Sequence, residues 1–148
     1  MSYYDKVGNY YDKDAVDFEQ RYHENPALQR IRQSFRQHTK SYEQVTVLEV
    51  GFGPGFDLVH FAEQFPQRKF YGIDISAEMV RLTQDKIDRM GLKNAWVAKG
   101  SVEDIKELFP EVQFDMIYVF FGALNTVNDL EGAFADLRAV SSYGGRMV

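Results

Sequence analysis

Five residues, Gly51-Phe52-Gly53-Pro54-Gly55, separate an apolar run from a segment of helical spacing. Val45-Thr46-Val47-Leu48-Glu49-Val50 before them is β-branched and ends at glycine, which reads as a buried strand. Asp57 through Phe65 after them places Leu58, Phe61, Ala62 and Phe65 on one helical side, and Pro66 closes the run. A strand that turns through glycines into a helix offers backbone N–H groups and the positive end of a helix dipole. Glycine also lets a ligand approach the main chain, because no Cβ intervenes. Asp74 ends the next strand, Lys69 to Asp74, 23 positions after Gly51. A carboxylate about 20 residues beyond such a loop is placed to accept from ribose hydroxyls. The chemistry implied is the holding of a nucleoside-containing cofactor.

The elements around the loop must position it. Ser76 caps a helix running to Met90, with Glu78 in its first turn, Gly91 as its stop and Met79, Val80, Thr83, Ile87 and Met90 inward. Asn94 to Ala98 reads as a third strand, Glu103 to Phe109 as a brief helix broken by Pro110, and Phe114 to Phe120 as a fourth strand. Asp129 to Val140 reads as a helix with Leu130, Phe134, Leu137 and Val140 inward, and Gly144-Gly145 turns into a fifth strand at Arg146. Strands alternating with helices imply a parallel α/β sheet with right-handed crossovers. The chain stops within that fifth strand, whose open edge would be a pairing hazard, so a truncated chain is expected. At the other end, Met1 to Tyr22 is rich in tyrosine and acid with little clean periodicity. Asn25-Pro26 starts a helix whose apolar stripe is Leu28, Ile31 and Phe35, leaving Arg30, Arg32, Arg36 and Lys40 on a solvated face.

Composition bounds the partners. The net charge of -5 argues against a large phosphate-backbone footprint, so nucleic acid is not the expected partner. No cysteine is present, which excludes disulfides and thiolate catalysis. The N-terminus has no basic region followed by an apolar run, and no apolar stretch approaches ~20 residues, so a cytoplasmic protein without a membrane span is expected. No His/Asp/Glu cluster has metal-ligand spacing, so no metal is expected.

Two cofactor classes fit a glycine loop. In the dinucleotide form G-x-G-x-x-G/A, a third glycine permits close helix–strand packing. Phe56 stands at that spacing here, and Gly55 comes one position early. Val47 to Gly55, with its acid Glu49 two residues before a G-x-G-x-G run, instead resembles the first motif of class I S-adenosylmethionine-dependent methyltransferases. Gly72-Ile73-Asp74-Ile75-Ser76, with Met79 beyond, is similar to that family's second motif. Gly100-Ser101-Val102-Glu103 sits where many relatives read Gly-Asp-Ala-Glu, so Ser101 replaces the usual aspartate. Phe114-Asp115 through Phe121-Gly122 resembles the fourth-strand motif. Tyr4 to Asp12 resembles the family's N-terminal lid pattern.

The resemblance implies a Rossmann-like sheet of about five strands, order 3-2-1-4-5, flanked by helices and preceded by an N-terminal helical arm. The family's last antiparallel strands are missing from this sequence. It further implies residues 1–42 as arm and lid or substrate side, and 43–148 as the cofactor domain. By the same resemblance S-adenosylmethionine is held by Glu49, Gly51, Phe52, Gly53, Gly55, Asp74, Ile75, Met79, Ser101, Val102, Phe120 and Phe121. Glu49 would favour the cationic amino-acid end, Asp74 the ribose, and Ser101 or the Val102 backbone the adenine amino group. Transfer to a small-molecule acceptor by in-line displacement, leaving S-adenosylhomocysteine, is the activity implied. Tyr11, lying over the cofactor, and Asn125, on the acceptor side, are the candidates beside the reaction. No general base emerges, since His23, His38 and His60 lie outside the matched motifs. The alternatives are a non-catalytic cofactor-binding or interaction module with this fold and an NAD-dependent oxidoreductase.

Overall fold

The computed structural model describes residues 1–40, 43 and 45–148. The expected boundary between residues 42 and 43 adjoins residues outside the described ones. Five parallel strands form one sheet in the order β3-β2-β1-β4-β5, as the resemblance implied. They are β1 (Thr46–Val50), β2 (Lys69–Asp74), β3 (Ala95–Lys99), β4 (Phe114–Tyr118) and β5 (Ser141–Met147). The helices are α1 (Tyr3–His23), α2 (Pro26–Lys40), α3 (Phe56–Gln64), α4 (Ala77–Met90), α5 (Ile105–Leu108) and α6 (Leu130–Val140).

Alternation along β1 divides the core. Val47 packs with Leu58, Phe61 and Ala62 of α3, and with Phe70 and Ile87, on one side of the sheet. Leu48 and Val50 pack with Ile73, Ile105, Ile117, Leu137 and Val140 on the other. Burying each such side chain stabilises the fold by about 1.5–3 kcal/mol. Glu49 shares the Val47 face, so the strand period itself turns this acid toward α3.

Several helix faces differ from those read in the sequence. The buried or half-buried positions of α1 are 4, 7, 8, 11, 12, 14, 15, 18, 19 and 22, a helical stripe made of Tyr, Gly, Asp, Ala and Glu as well as apolar residues. Its start is a capping box in which the Ser2 hydroxyl accepts from Asp5 N–H and the Asp5 carboxylate accepts from Ser2 N–H. In α2, Asn25 caps as expected, its side chain accepting from Ala27 and Leu28 N–H. However, Ile31 is exposed and Arg32 is buried, at 8% exposure, so the expected solvated face is wrong at Arg32. Met90, Leu130 and Phe134 are also exposed; Ala133 takes the inward place in α6 with Leu137 and Val140. The Glu103–Phe109 helix divides into a 3-10 turn, Val102–Asp104, and α5. β5 starts at Ser141 and bulges before Arg146, because Phe114 pairs with Ser141 while Met116 pairs with Arg146; Gly144, at φ +76°, takes up the bend.

Candidate functional site

The glycine loop sits between the C-terminal end of β1 and the start of α3. Gly51, Gly53 and Gly55 have φ of +70°, +57° and +80°, a region that side-chain-bearing residues seldom adopt. Gly55 is also held by space: a Cβ there would lie 2.5 Å from Thr83 Cγ2 on α4. Three of the N–H groups expected to be available, those of the glycines, are engaged within the protein. Gly51 N–H donates to Ile73 O (2.8 Å), Gly55 N–H to Phe52 O (3.1 Å) and Gly53 N–H to the Asp74 carboxylate (2.8 Å). The Thr83 hydroxyl donates to Gly53 O (3.0 Å) and Lys86 Nζ to Pro54 O (2.7 Å). A loop whose three glycine N–H groups are consumed internally has fewer donors to offer a phosphate, which disfavours a pyrophosphate-bearing cofactor.

Asp74 closes this arrangement from β2. One carboxylate oxygen accepts from Gly53 N–H and the other from Ser76 N–H (2.9 Å). Burial pushes its carboxyl up to about 6, against the lowering effect of those two hydrogen bonds. Each oxygen keeps a second lone pair for a ligand hydroxyl. Ser76 caps α4 by accepting from Met79 N–H and donates to Asp12 of α1 (2.6 Å), which also accepts from Glu78 N–H.

At the other end lies a buried ionic group. Asp57, fully buried in the first turn of α3, accepts from Arg32 and from Arg36 Nε (2.7 Å), both on α2. Glu49 accepts from the Tyr118 hydroxyl across β1 and β4 (2.9 Å). Burial holds the Glu49 carboxyl well above the usual carboxylate range; the neighbouring Asp57 charge adds to this, and the Tyr118 hydrogen bond and Arg32 oppose it. Burial also pushes the Tyr118 hydroxyl up, with the Glu49 and Asp57 charges adding to it. The Arg32 guanidinium lies over the rings of Tyr22 (4.6 Å), Phe121 (4.6 Å) and Phe56 (5.0 Å). Its Nε–H has no partner among the described residues. A buried guanidinium with a donor left over is a fitting partner for a ligand carboxylate.

Between these ends is a cavity of about 370 Å³, within the range of small-molecule sites. Its lining brings together Glu49, Gly51, Phe52, Gly53, Asp74, Ile75, Met79, Ser101, Val102, Phe120 and Phe121 from the sequence reading. Gly55 is not in the lining; it caps α3 and admits Thr83 instead. Asn125 is exposed on a 3-10 turn, Ala123–Thr126, whose Ala123 and Thr126 face the cavity in its place. Ser101 donates its hydroxyl proton to Asp104 (3.0 Å), which leaves its oxygen as an acceptor.

The helix α1 crosses the cavity, contributing Tyr4, Val7, Tyr11, Phe18 and Tyr22 to its wall. Burial raises the Tyr11 hydroxyl, with Tyr10, Asp74 and Asp14 adding to it. Tyr4 donates to Glu103 (2.9 Å) and accepts from Asn128 N–H (3.3 Å), and Glu19 accepts from Lys86 (2.5 Å). Gly8 passes so close to β2 that a Cβ would lie 2.8 Å from Ile75 O. Arg32, Asp57, Asp12 and Tyr118 were absent from the sequence-based set. For Arg32 and Arg36 the available signal was their i, i+4 spacing opposite an acid at a helix start.

Comparison with known proteins agrees with this architecture. A family model described as a methyltransferase domain matches residues 47–145. The chain is 35% identical over 80 residues to the tRNA (guanine-N(7)-)-methyltransferase of Edwardsiella ictaluri (strain 93-146), covering 53% of this chain and 34% of the relative. It is 28% identical over 74 residues to the tRNA (guanine-N(7)-)-methyltransferase of Oceanobacillus iheyensis, covering 50% of this chain and 35% of that one. The chain thus spans about a third of the length of these curated relatives. Among solved structures, a DhpI–SAH complex superposes with a TM-score of 0.71 at 19% identity, covering 94% of this chain and 64% of that one. A SAM-dependent methyltransferase from Aquifex aeolicus gives 0.58 at 30% identity, covering 66% and 51%. The tRNA-modifying relatives overturn the expectation, drawn from net charge, that nucleic acid is not a partner. Among the described residues no group of His, Cys, Asp and Glu is arranged to hold a metal, and no helix is long and apolar enough to cross a membrane.

Proposed function

The chain belongs to the methyltransferase-domain family in its class I, Rossmann-like form, and on that premise we propose that it is an S-adenosylmethionine-dependent methyltransferase acting on an unprotonated ring nitrogen of RNA, the N7 of a guanine. The observation that carries the donor half is the charge layout of the cavity. Glu49 and the unpartnered Arg32 Nε–H stand at one end, and Asp74 and the Ser101 oxygen are available as acceptors. That set fits an ammonium, a carboxylate, a ribose diol and an adenine amino group in one ligand. When bound, the cofactor supplies a methyl group on a sulfonium, which an acceptor lone pair displaces in line as the C–S electrons return to sulfur.

Residues of this chain position rather than react. Gly51 and Gly53 give the ligand a wall without side chains, and Asp74 fixes its height by holding both Gly53 and Ser76. Residues 1–42 act as lid and acceptor side in this reading, and 43–148 as the cofactor domain. Tyr11 and Phe18 exclude water, which strengthens every charge interaction inside. Proximity and alignment can supply up to about 7–11 kcal/mol of the barrier reduction.

The acceptor half rests on two supports. The curated relatives are tRNA (guanine-N(7)-)-methyltransferases. Among the described residues the cavity wall contains no histidine, and its charged side chains are engaged with one another, with the main chain or, for Glu49, with the Tyr118 hydroxyl. Guanine N7 is an acceptor without a proton, so its attack requires no general base. An RNA acceptor also suits a cytoplasmic place of action.

Calorimetry with S-adenosylhomocysteine tests the donor half, and methyl-tritiated donor with unmodified tRNA transcripts tests the acceptor half. Binding in the micromolar range, abolished by Asp74→Ala, and label recovered as 7-methylguanosine are the expected outcomes. Absence of binding by the folded protein refutes the first half. Label absent from RNA but present on a small-molecule pool refutes the second.

A further inference from the structure

We propose that Phe121 is the platform on which the planar ring of the acceptor stacks. This rests on the RNA reading above and assigns the surface that recognises the base.

Phe121 follows β4 with φ +57°, and Gly122 follows it with φ +74°. A bulky residue at positive φ is an outlier whose strain persists only where the surrounding structure over-determines it, and such outliers cluster at ligand sites. The turn itself would be met at lower energy by a second glycine or an asparagine. Its effect is to separate two adjacent rings. Phe120 goes inward at 6% exposure, stacked between Phe35 (4.7 Å) and Tyr118 (4.5 Å). Phe121 goes to the rim of the cavity, where it lines the wall yet remains 45% exposed.

The Phe121 ring is held by two neighbours. The Arg32 guanidinium covers it at 4.6 Å and Phe35 meets it edge-on at 5.5 Å and 64°. These contacts restrict the ring, so a stacking partner does not have to order it first. They also set its preference. A cation on one side of a π system draws its electron density, which favours an electron-rich ring on the open side. An unmethylated purine is such a ring. Arg32 also borders the charged end of the cavity, next to Asp57 and Glu49, so the platform adjoins the donor site.

The experiment compares the wild-type chain with Phe121→Gly, Phe121→Ala and Phe121→Trp. The readouts are methyl transfer to a tRNA transcript and calorimetric binding of S-adenosylhomocysteine. Base–aromatic stacking energies predict a KM for RNA raised about 10- to 100-fold in the Gly and Ala variants, with the tryptophan variant near wild type. The family resemblance placed Phe121 with the donor, but a ring at the rim, 45% exposed, is reassigned here to the acceptor, so the affinity for S-adenosylhomocysteine stays within about twofold. Phe121→Gly melts at or above the wild-type temperature because its backbone strain is relieved. An unchanged KM for RNA in Phe121→Gly overturns the proposal. So does a loss of S-adenosylhomocysteine affinity as large as the loss for RNA, which would make Phe121 part of the donor wall. A wild-type chain that binds S-adenosylhomocysteine but labels no RNA overturns the RNA reading itself and this assignment with it.

Discussion

Asp74 should make stability and cofactor binding run in opposite directions with pH. Its carboxyl is raised from an ordinary 3.8 to about 6 in the folded protein, mainly because it is 7% exposed, and the Asp12 charge nearby adds to the effect. A group whose folded value lies above its unfolded value contributes stability below the unfolded value and loses it as pH rises through the folded one. The gap corresponds to about 3 kcal/mol, complete below pH 3.8, mostly still present at pH 4 and lost by pH 7. Asp74→Asn cannot titrate. It also loses one acceptor, so Gly53 or Ser76 N–H is left unsatisfied, at a pH-independent cost of about 1–3 kcal/mol. The assay is equilibrium urea unfolding of both proteins at intervals from pH 4 to pH 8. The difference, wild type minus variant, should fall by about 3 kcal/mol across that range, since remote titrations cancel in the subtraction. Binding of S-adenosylhomocysteine to the wild type should strengthen over the same interval, as the carboxylate gains acceptor capacity. A difference that is flat to within about 1 kcal/mol, or that rises with pH, would refute the account of Asp74 as a carboxylate held ionised against its burial.

Two further changes test the framework around it. Asp57→Asn leaves Arg32 buried without its anion and should destabilise by about 3 kcal/mol, the low end for a broken buried pair, because Glu49 can ionise once the Asp57 charge is gone. Thermal melting should show a loss of roughly 6–12 °C, and Asp57→Asn combined with Glu49→Gln should lose more than the sum of the two. Gly55→Ala meets both a left-handed backbone and Thr83, and should lose about 2–4 kcal/mol in urea unfolding. Gly53→Ala shares the positive φ but has open space, so it should lose only about 1–2 kcal/mol, and Thr83→Ala should restore part of the Gly55→Ala loss.

The sheet was legible because its signals are local. β1, β2 and β4 are apolar runs bounded by turn residues, and Ser76 and Gly91 mark both ends of α4. The strand-end acid and the glycine loop lie in one cavity because parallel strands bring their C-terminal ends together. Illegible features depend on what a helix packs against. The inward stripe of α1 contains Gly8, Asp12 and Ala15, so a search for aliphatic periodicity passes over it. Gly8 is required by the nearness of Ile75 O, and Asp12 by the N–H groups at the start of α4, neither of which leaves an apolar mark. Arg32 was placed in solvent because a cation at helical spacing usually is, yet Asp57, 25 positions away, brings it inside.

Net charge is a poor guide for a related reason. The value of -5 sums the whole chain and carries no positions, whereas Glu49, Asp57 and Asp74 are buried and shape the field of the cavity. Among the residues lining the cavity the charged side chains are Arg32, Glu49, Asp57 and Asp74, with Arg36 behind them on Asp57. Ionised, the two arginines balance the two aspartates. Burial and the Asp57 charge both favour the neutral form of Glu49, so a cation placed beside it would act against both and favour its carboxylate. Glu49 and Asp74, the two acids that burial raises, are therefore the members of the group whose charge a cationic ligand would shift most.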